Sequence, residues 1–245
     1  MKGRRVLATA GRLLVEIRHD PRTLVMVMVV PSVLMTLLRY AFSGQRAVFQ
    51  HSGPAVLALF PFTAMFVVAS ISMLRERTGG TLERLFTSPL RNSELLGGYS
   101  LAFGSLAVVQ AGLTASIALG PLGLDVAGPL WAILGMALLS SLLGSSLGLF
   151  LSAFARTEFQ AVQFLPAFVL PQLLLCGLFV PRDSMAAVLH WISWALPLTY
   201  ALDGVSRVSQ GANLSGYFVR DLVVLASSVP AAVVAGALTL RRRTP

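Results

Sequence analysis

The sequence predicts an all-α polytopic integral membrane protein of about six transmembrane helices, with an N-terminal interfacial amphipathic helix and an outer re-entrant segment. Three observations predict it. Of the 245 residues 56% are hydrophobic and only 12% charged, against about 25% charged in a soluble globular chain. The mean hydropathy is +0.77. The apolar residues fall into runs of about 20, each long enough as a helix to cross roughly 30 Å of hydrocarbon.

Residues 1–22 read as an amphipathic helix: Val6, Leu7, Ala10, Leu13, Leu14 and Ile17 share one face, with Arg5, Arg12 and Glu16 opposite. Such a helix lies either along the lipid surface or, solvated, against a partner. The first span covers 24–42 and is interrupted by Pro31; the second covers 54–74. Arg39 is close enough to the outer end of the first to snorkel. No small-residue cleavage site closes that first run, so it is expected to stay in the mature chain. A charged cytoplasmic loop, 75–98, leads to a third span at 99–119 and, past Asp125, to a fourth at 129–154. The fifth, 161–180, contains Pro166 and Pro171, and the sixth covers 222–240. Between them, 181–217 is too short in apolar length for another span. It reads as a helical element on or dipping into the outer leaflet, with Trp191 and Trp194 at the interface and Pro197 ending it.

Fourteen of the nineteen basic residues then fall on one side, including Lys2, Arg75, Arg77, Arg84, Arg91, Arg156 and Arg241 to Arg243. By the positive-inside rule both termini are cytoplasmic, in a multi-pass protein of the cell inner (plasma) membrane. The net charge of +9 is explained by those span-flanking arginines, and no soluble basic face for nucleic acid is expected.

All ten acidic residues fall at span ends or in loops, so coupling to an ion gradient has no obvious residue to work through. The lone lysine, Lys2, has no Gly-rich phosphate loop around it, which argues against ATP hydrolysis by this chain. His190 near Ser184 and Ser193 has no expected buried acid and no lysine base to complete a hydrolytic set, so no catalytic residue is assigned. Nor is there metal-ligand spacing. Cys176, the only cysteine, reads as a packing residue.

The loop carries the most specific signal, RERTGGTLERLFTSPLRNSELLGGY from Arg75. Gly79 and Gly80 break the preceding helix, Thr81 caps a new one and Pro89 ends it after about two turns. A short helix is thereby held at the membrane surface. This arrangement, with Glu76, Arg77, Gly80, Thr81, Leu82, Glu83, Leu85, Pro89 and Leu90, resembles the permease subunits of type-two ABC transporters, including drug-resistance exporters. A second stretch, VPRDSMAAVLHWISWALPLTYALDGV from Val180, is similar to the family's outer re-entrant segment through Pro181, Met185, Trp191, Ile192, Pro197, Leu198, Thr199 and Tyr200.

The resemblance implies one permease domain over 1–245 whose inner loop contacts a separate P-loop ATPase subunit, through Glu76, Arg77, Gly80, Thr81, Leu82, Glu83, Arg84, Leu85 and Pro89. It also implies a second permease subunit, identical or different, around the path. ATP and Mg would sit on the partner, and this chain would bind no cofactor. Asn92-Ser93 departs from the pair other members often have, which leaves the partner's identity open. Glu76 is expected to pair with an N-terminal arginine. An uncharged, apolar path favours an amphiphilic drug, natural product or lipid; the alternative function is an ATP-independent channel or secondary carrier. Gln110, Gln163 and Gln172 are candidates for path or packing, as Gly144 and Gly148 are for dimer or intrachain contact.

Overall fold

The computed structural model describes residues 2–79, 92–180, 182–211 and 216–239. All regular structure among them is helical. The helices are α1 (Lys2–His19), α2 (Pro21–Ala41), α3 (Arg46–Thr78), α4 (Asn92–Leu119), α5 (Leu130–Ser152), α6 (Glu158–Leu175), α7 (Ala187–Ala195), α8 (Pro197–Ser209) and α9 (Gly216–Thr239), with a 3-10 turn at Arg182–Ser184. Six are long and apolar enough to cross a membrane: Thr23–Ala41 within α2, then α3, Glu94–Leu119 within α4, α5, α6 and α9.

Local chemistry sets several boundaries. Asp20 caps α2 by accepting from the Thr23 backbone N–H (3.3 Å) and its hydroxyl (2.6 Å), and Pro21 opens the helix where no backbone donor is needed. Thr157 caps α6 through the Gln160 N–H at 3.1 Å. Beyond α6 the chain reverses at Gly177, whose φ of +94° suits a residue without Cβ.

The bundle is built around α3 and α5. Along α5, Ser140, Gly144 and Gly148 recur every fourth residue and face Ala58, Phe62 and Phe66 at the same interval on α3. Ser140 Oγ donates to the Ala58 carbonyl at 3.0 Å. A Cβ on Gly144 or Gly148 would lie 2.2 or 2.3 Å from the carbonyl oxygens of Phe62 and Phe66. The small-residue stripe therefore serves intrachain packing, letting two backbones touch.

Polar contacts tie the helix ends into two opposite layers. At one end the start of α2, the end of α3 and the start of α6 meet through Arg75, which lies 3.6 Å from Asp20 and 2.8 Å from Glu158. At the other, Arg39 Nε donates to the Leu122 carbonyl (3.1 Å), Arg46 pairs with Asp125 (3.3 Å) and the Ala127 N–H bonds the Ser209 carbonyl (3.0 Å). Gly236 approaches Phe150 near the end of α5, so α1 and the close of α9 share the Arg75 end, as six alternating spans require.

Five details differ from the sequence reading. Residues 46–53, left between the first two spans, belong to α3, which ends at Thr78, just before the break expected at Gly79. The fifth apolar run is helical only to Leu175, and the last helix begins at Gly216 rather than 222. Pro197 does not simply end a surface element: α7 stops at Ala195 and Pro197 starts α8, because a proline that cannot continue one helix is suited to the first turn of the next. Leu198, Ala201, Leu202 and Val205 of α8 are buried in the main core. Lastly, α1 does not rest its whole apolar face on lipid. Ala10, Leu13 and Ile17 pack with Leu95, Leu96 and Tyr99 of α4, while Leu7, Leu14 and Val15 stay exposed.

Candidate functional site

Three consecutive residues at the end of α3 reach four different helices, since successive side chains on an α-helix point about 100° apart. Arg75 grips Glu158 of α6 through two bonds, Nε to Oε1 at 2.8 Å and Nη2 to Oε2 at 3.2 Å. Glu76, only 5% exposed, accepts from Arg12 Nη2 of α1 at 2.6 Å and from the Tyr99 hydroxyl of α4. Arg77 donates to the Ser152 carbonyl at the end of α5. A further pair, Arg5 with Glu94 at 3.5 Å, fastens α1 to α4.

These contacts lie directly before residues 80–91. Glu76 and Arg77 of the expected coupling set are thus placed at the base of the loop. Gly80, Thr81, Leu82, Glu83, Arg84, Leu85 and Pro89 lie outside the described residues. Arg12 is the N-terminal arginine expected for Glu76. Tyr99, Glu158 and Asp20 were not singled out from sequence, although an acid or tyrosine flanking an apolar run beside the loop was the available signal.

Beside this cluster a cavity of about 670 Å³ runs between α1, α2, α3 and α6. Met26, Val27, Val30 and Val67 make its walls apolar, and Glu16 and Arg75 stand at one end. Its size is within the roughly 300–1,000 Å³ typical of small-molecule sites. The three glutamines lie elsewhere. Gln110 is fully buried against Thr114, with its Nε2 3.5 Å from the Thr114 hydroxyl. Gln172, also buried, accepts from the Leu198 N–H at 3.4 Å and so joins α6 to the first turn of α8. Gln163 is exposed on α6.

At the opposite end, the residues expected in a re-entrant segment divide between two helices. Pro181 lies outside the described residues. Met185 closes the 3-10 turn by donating its N–H to the Arg182 carbonyl at 3.1 Å. Trp191 and Ile192 are exposed on α7, Pro197 opens α8, and Tyr200 donates its hydroxyl to the Trp194 carbonyl at 2.6 Å. Sequence reasoning placed Asp203 and Asp221 on the outer side, at span ends or in loops; the structure buries Asp221 and half-buries Asp203. Asp203 pairs with Arg182 and lies 3.9 Å from Arg207, and Asp221 accepts from Arg220 at 2.7 Å. Burial pushes the Asp203 carboxyl above its ordinary range, opposed by Arg182 and Arg207. Arg182 and Arg220 also stand over the Trp194 ring, 4.9 and 4.8 Å from its centre.

The class defined is a multi-pass helical membrane protein whose spans are tied together at one end, directly before residues 80–91 in the chain. The ABC-2 type transporter family model matches residues 4–208, and the chain belongs to that family. Over 175 residues it is 28% identical to ABC transporter G family member 20 of Dictyostelium discoideum, covering 70% of this chain and 24% of that one. Two Escherichia coli K12 proteins are also similar. The probable multidrug ABC transporter permease YbhR is 27% identical over 63% of this chain and 42% of its own. The probable multidrug ABC transporter permease YbhS is 26% identical over 78% of this chain and 51% of its own. The chain thus spans from about a quarter to about half the length of these relatives.

Proposed function

We propose that this chain is the transmembrane permease subunit of an ATP-driven ABC exporter. It moves an amphiphilic drug, natural product or lipid, using a separate P-loop ATPase subunit that carries ATP and Mg. A second permease subunit pairs with it around the path, and both termini face the cytoplasm. The observation that carries the reading is the convergence of α1, α4, α5 and α6 on Arg75, Glu76 and Arg77, at the base of the 80–91 segment. A push on that segment would move four helices as one body, as a rigid-body switch between inward-open and outward-open states requires. The apolar cavity beside the same cluster supports an amphiphilic cargo drawn from the membrane. Similarity to proteins named as multidrug permeases supports export of drug-like compounds.

The experiment is co-purification of the tagged chain from its native membrane. Recovery of a stoichiometric P-loop ATPase, lost when residues 79–90 are deleted, is the expected result. Reproducible recovery without an ATPase, together with ion-driven transport by the chain alone, would replace this reading with the ATP-independent carrier.

A further inference from the structure

At the end of the bundle opposite the Arg75 cluster lies a second, smaller cavity of about 320 Å³, lined by Gly177, Arg182, His190, Trp194, Asp203 and Arg207. It differs from the first in being walled by charge. Two guanidinium groups share one carboxylate there, since Arg182 and Arg207 both turn to Asp203. Arg220 and Asp221 form their own pair and add nothing to the balance. The described wall therefore carries one positive charge in excess. That charge is held close to low-dielectric protein, because the Arg182 and Asp203 side chains are 12% and 17% exposed.

Two donors on these arginines remain unused. Among the described residues, Arg182 Nη1 and Arg207 Nε are buried with no hydrogen-bond partner, and an unpaired buried donor is costly. His190 is not a ligand. Its Nδ1 donates to the Arg182 carbonyl at 3.1 Å, which requires the Nε2 facing Trp194 Nε1–H at 3.0 Å to be an acceptor. The imidazole is thus a neutral brace that fixes Trp194 and the Arg182 backbone.

We infer that this cavity binds a phosphate-type oxyanion, with Arg182 and Arg207 as its ligands. Forked guanidinium groups match the oxygens of a phosphate better than any other side chain does. The surroundings fit a phospholipid headgroup. The helix that supplies His190 and Trp194 exposes Val188 (69%), Trp191 (75%) and Ile192 (43%), apolar surface on which acyl chains can lie. Tryptophan is moreover enriched at the depth where lipid phosphates sit. Arg207, 42% exposed, gives the cavity its opening to the surface. The site depends neither on an ATPase nor on which leaflet it faces.

The test is native mass spectrometry of the full chain purified in detergent. It is titrated with dioleoylphosphatidylglycerol, with dioleoylglycerol as the headgroup-free probe, and with inorganic phosphate as competitor. Wild type is expected to prefer the phospholipid by about tenfold, and Arg207→Gln, which keeps the Arg182 pair with Asp203, to lose that preference. Arg207→Lys, retaining charge without the fork, should keep about a third of it and stands in if the first variant does not fold. Arg46→Gln, altering an exposed arginine at the same end, should change nothing. Displacement by millimolar phosphate, with no gain from acyl chains, assigns the site to free phosphate; no displacement assigns it to the lipid. Equal binding of both lipids with no binding of phosphate, or an unchanged preference in Arg207→Gln, overturns the inference.

Discussion

Glu76 and Arg12 meet at 2.6 Å although 64 residues separate them, and their pair joins an N-terminal surface helix to the helix leading into the charged loop. Tyr99 of α4 donates to the other carboxylate oxygen, so the carboxylate is a three-way junction. Removing its charge by Glu76→Gln is expected to loosen α1 and lower stability by about 1–3 kcal/mol. Thermal unfolding in detergent measures it. A double-mutant cycle with Arg12→Ala should return a coupling of similar size, and strictly additive effects would dismiss the pair.

Packing of α3 on α5 leaves no room at two glycines. Gly144→Ala and Gly148→Ala would each push a methyl against a carbonyl oxygen and should destabilise by about 1–3 kcal/mol. Gly135→Ala, on the same helix with nothing within 4 Å, is the control and should leave the melting temperature unchanged. Equal melting temperatures for all three would contradict the close approach.

Transmission through α6 is testable by charge exchange. Arg75→Glu should impair transport-coupled ATPase activity, and adding Glu158→Arg should restore much of it, since the pair is then rebuilt with its signs reversed. Full activity in the single variant, at equal expression, would take this contact out of the mechanism.

The loop itself is tested by Glu83→Arg. ATP hydrolysis by the reconstituted complex is expected to continue while transport falls, with insertion intact. Transport at the wild-type rate would remove Glu83 from the coupling surface.

Apolar run length was enough to locate every long span, because lipid responds to the local composition of a segment about 20 residues long. Gly79 marked the end of α3 for a similar reason: backbone preferences are local. What composition cannot register is which remote group a side chain meets. Counted along the chain, Asp203 and Asp221 were outer-side acids at span ends or in loops, with no partner assigned. In three dimensions α8 and α9 fold them against Arg182, Arg207 and Arg220. Gly144 read as an intrachain contact ahead of a dimer contact, and the Phe62 carbonyl beside it makes it intrachain. Likewise α1 read as a lipid-surface helix, yet Ala10, Leu13 and Ile17 find a better apolar partner in α4. Sequence by itself determined the solvent and the number of spans, both set by free energies summed over neighbouring residues. Only the tertiary structure decided the charge pairs and the glycine contacts, because their energies depend on helix crossings between segments tens of residues apart.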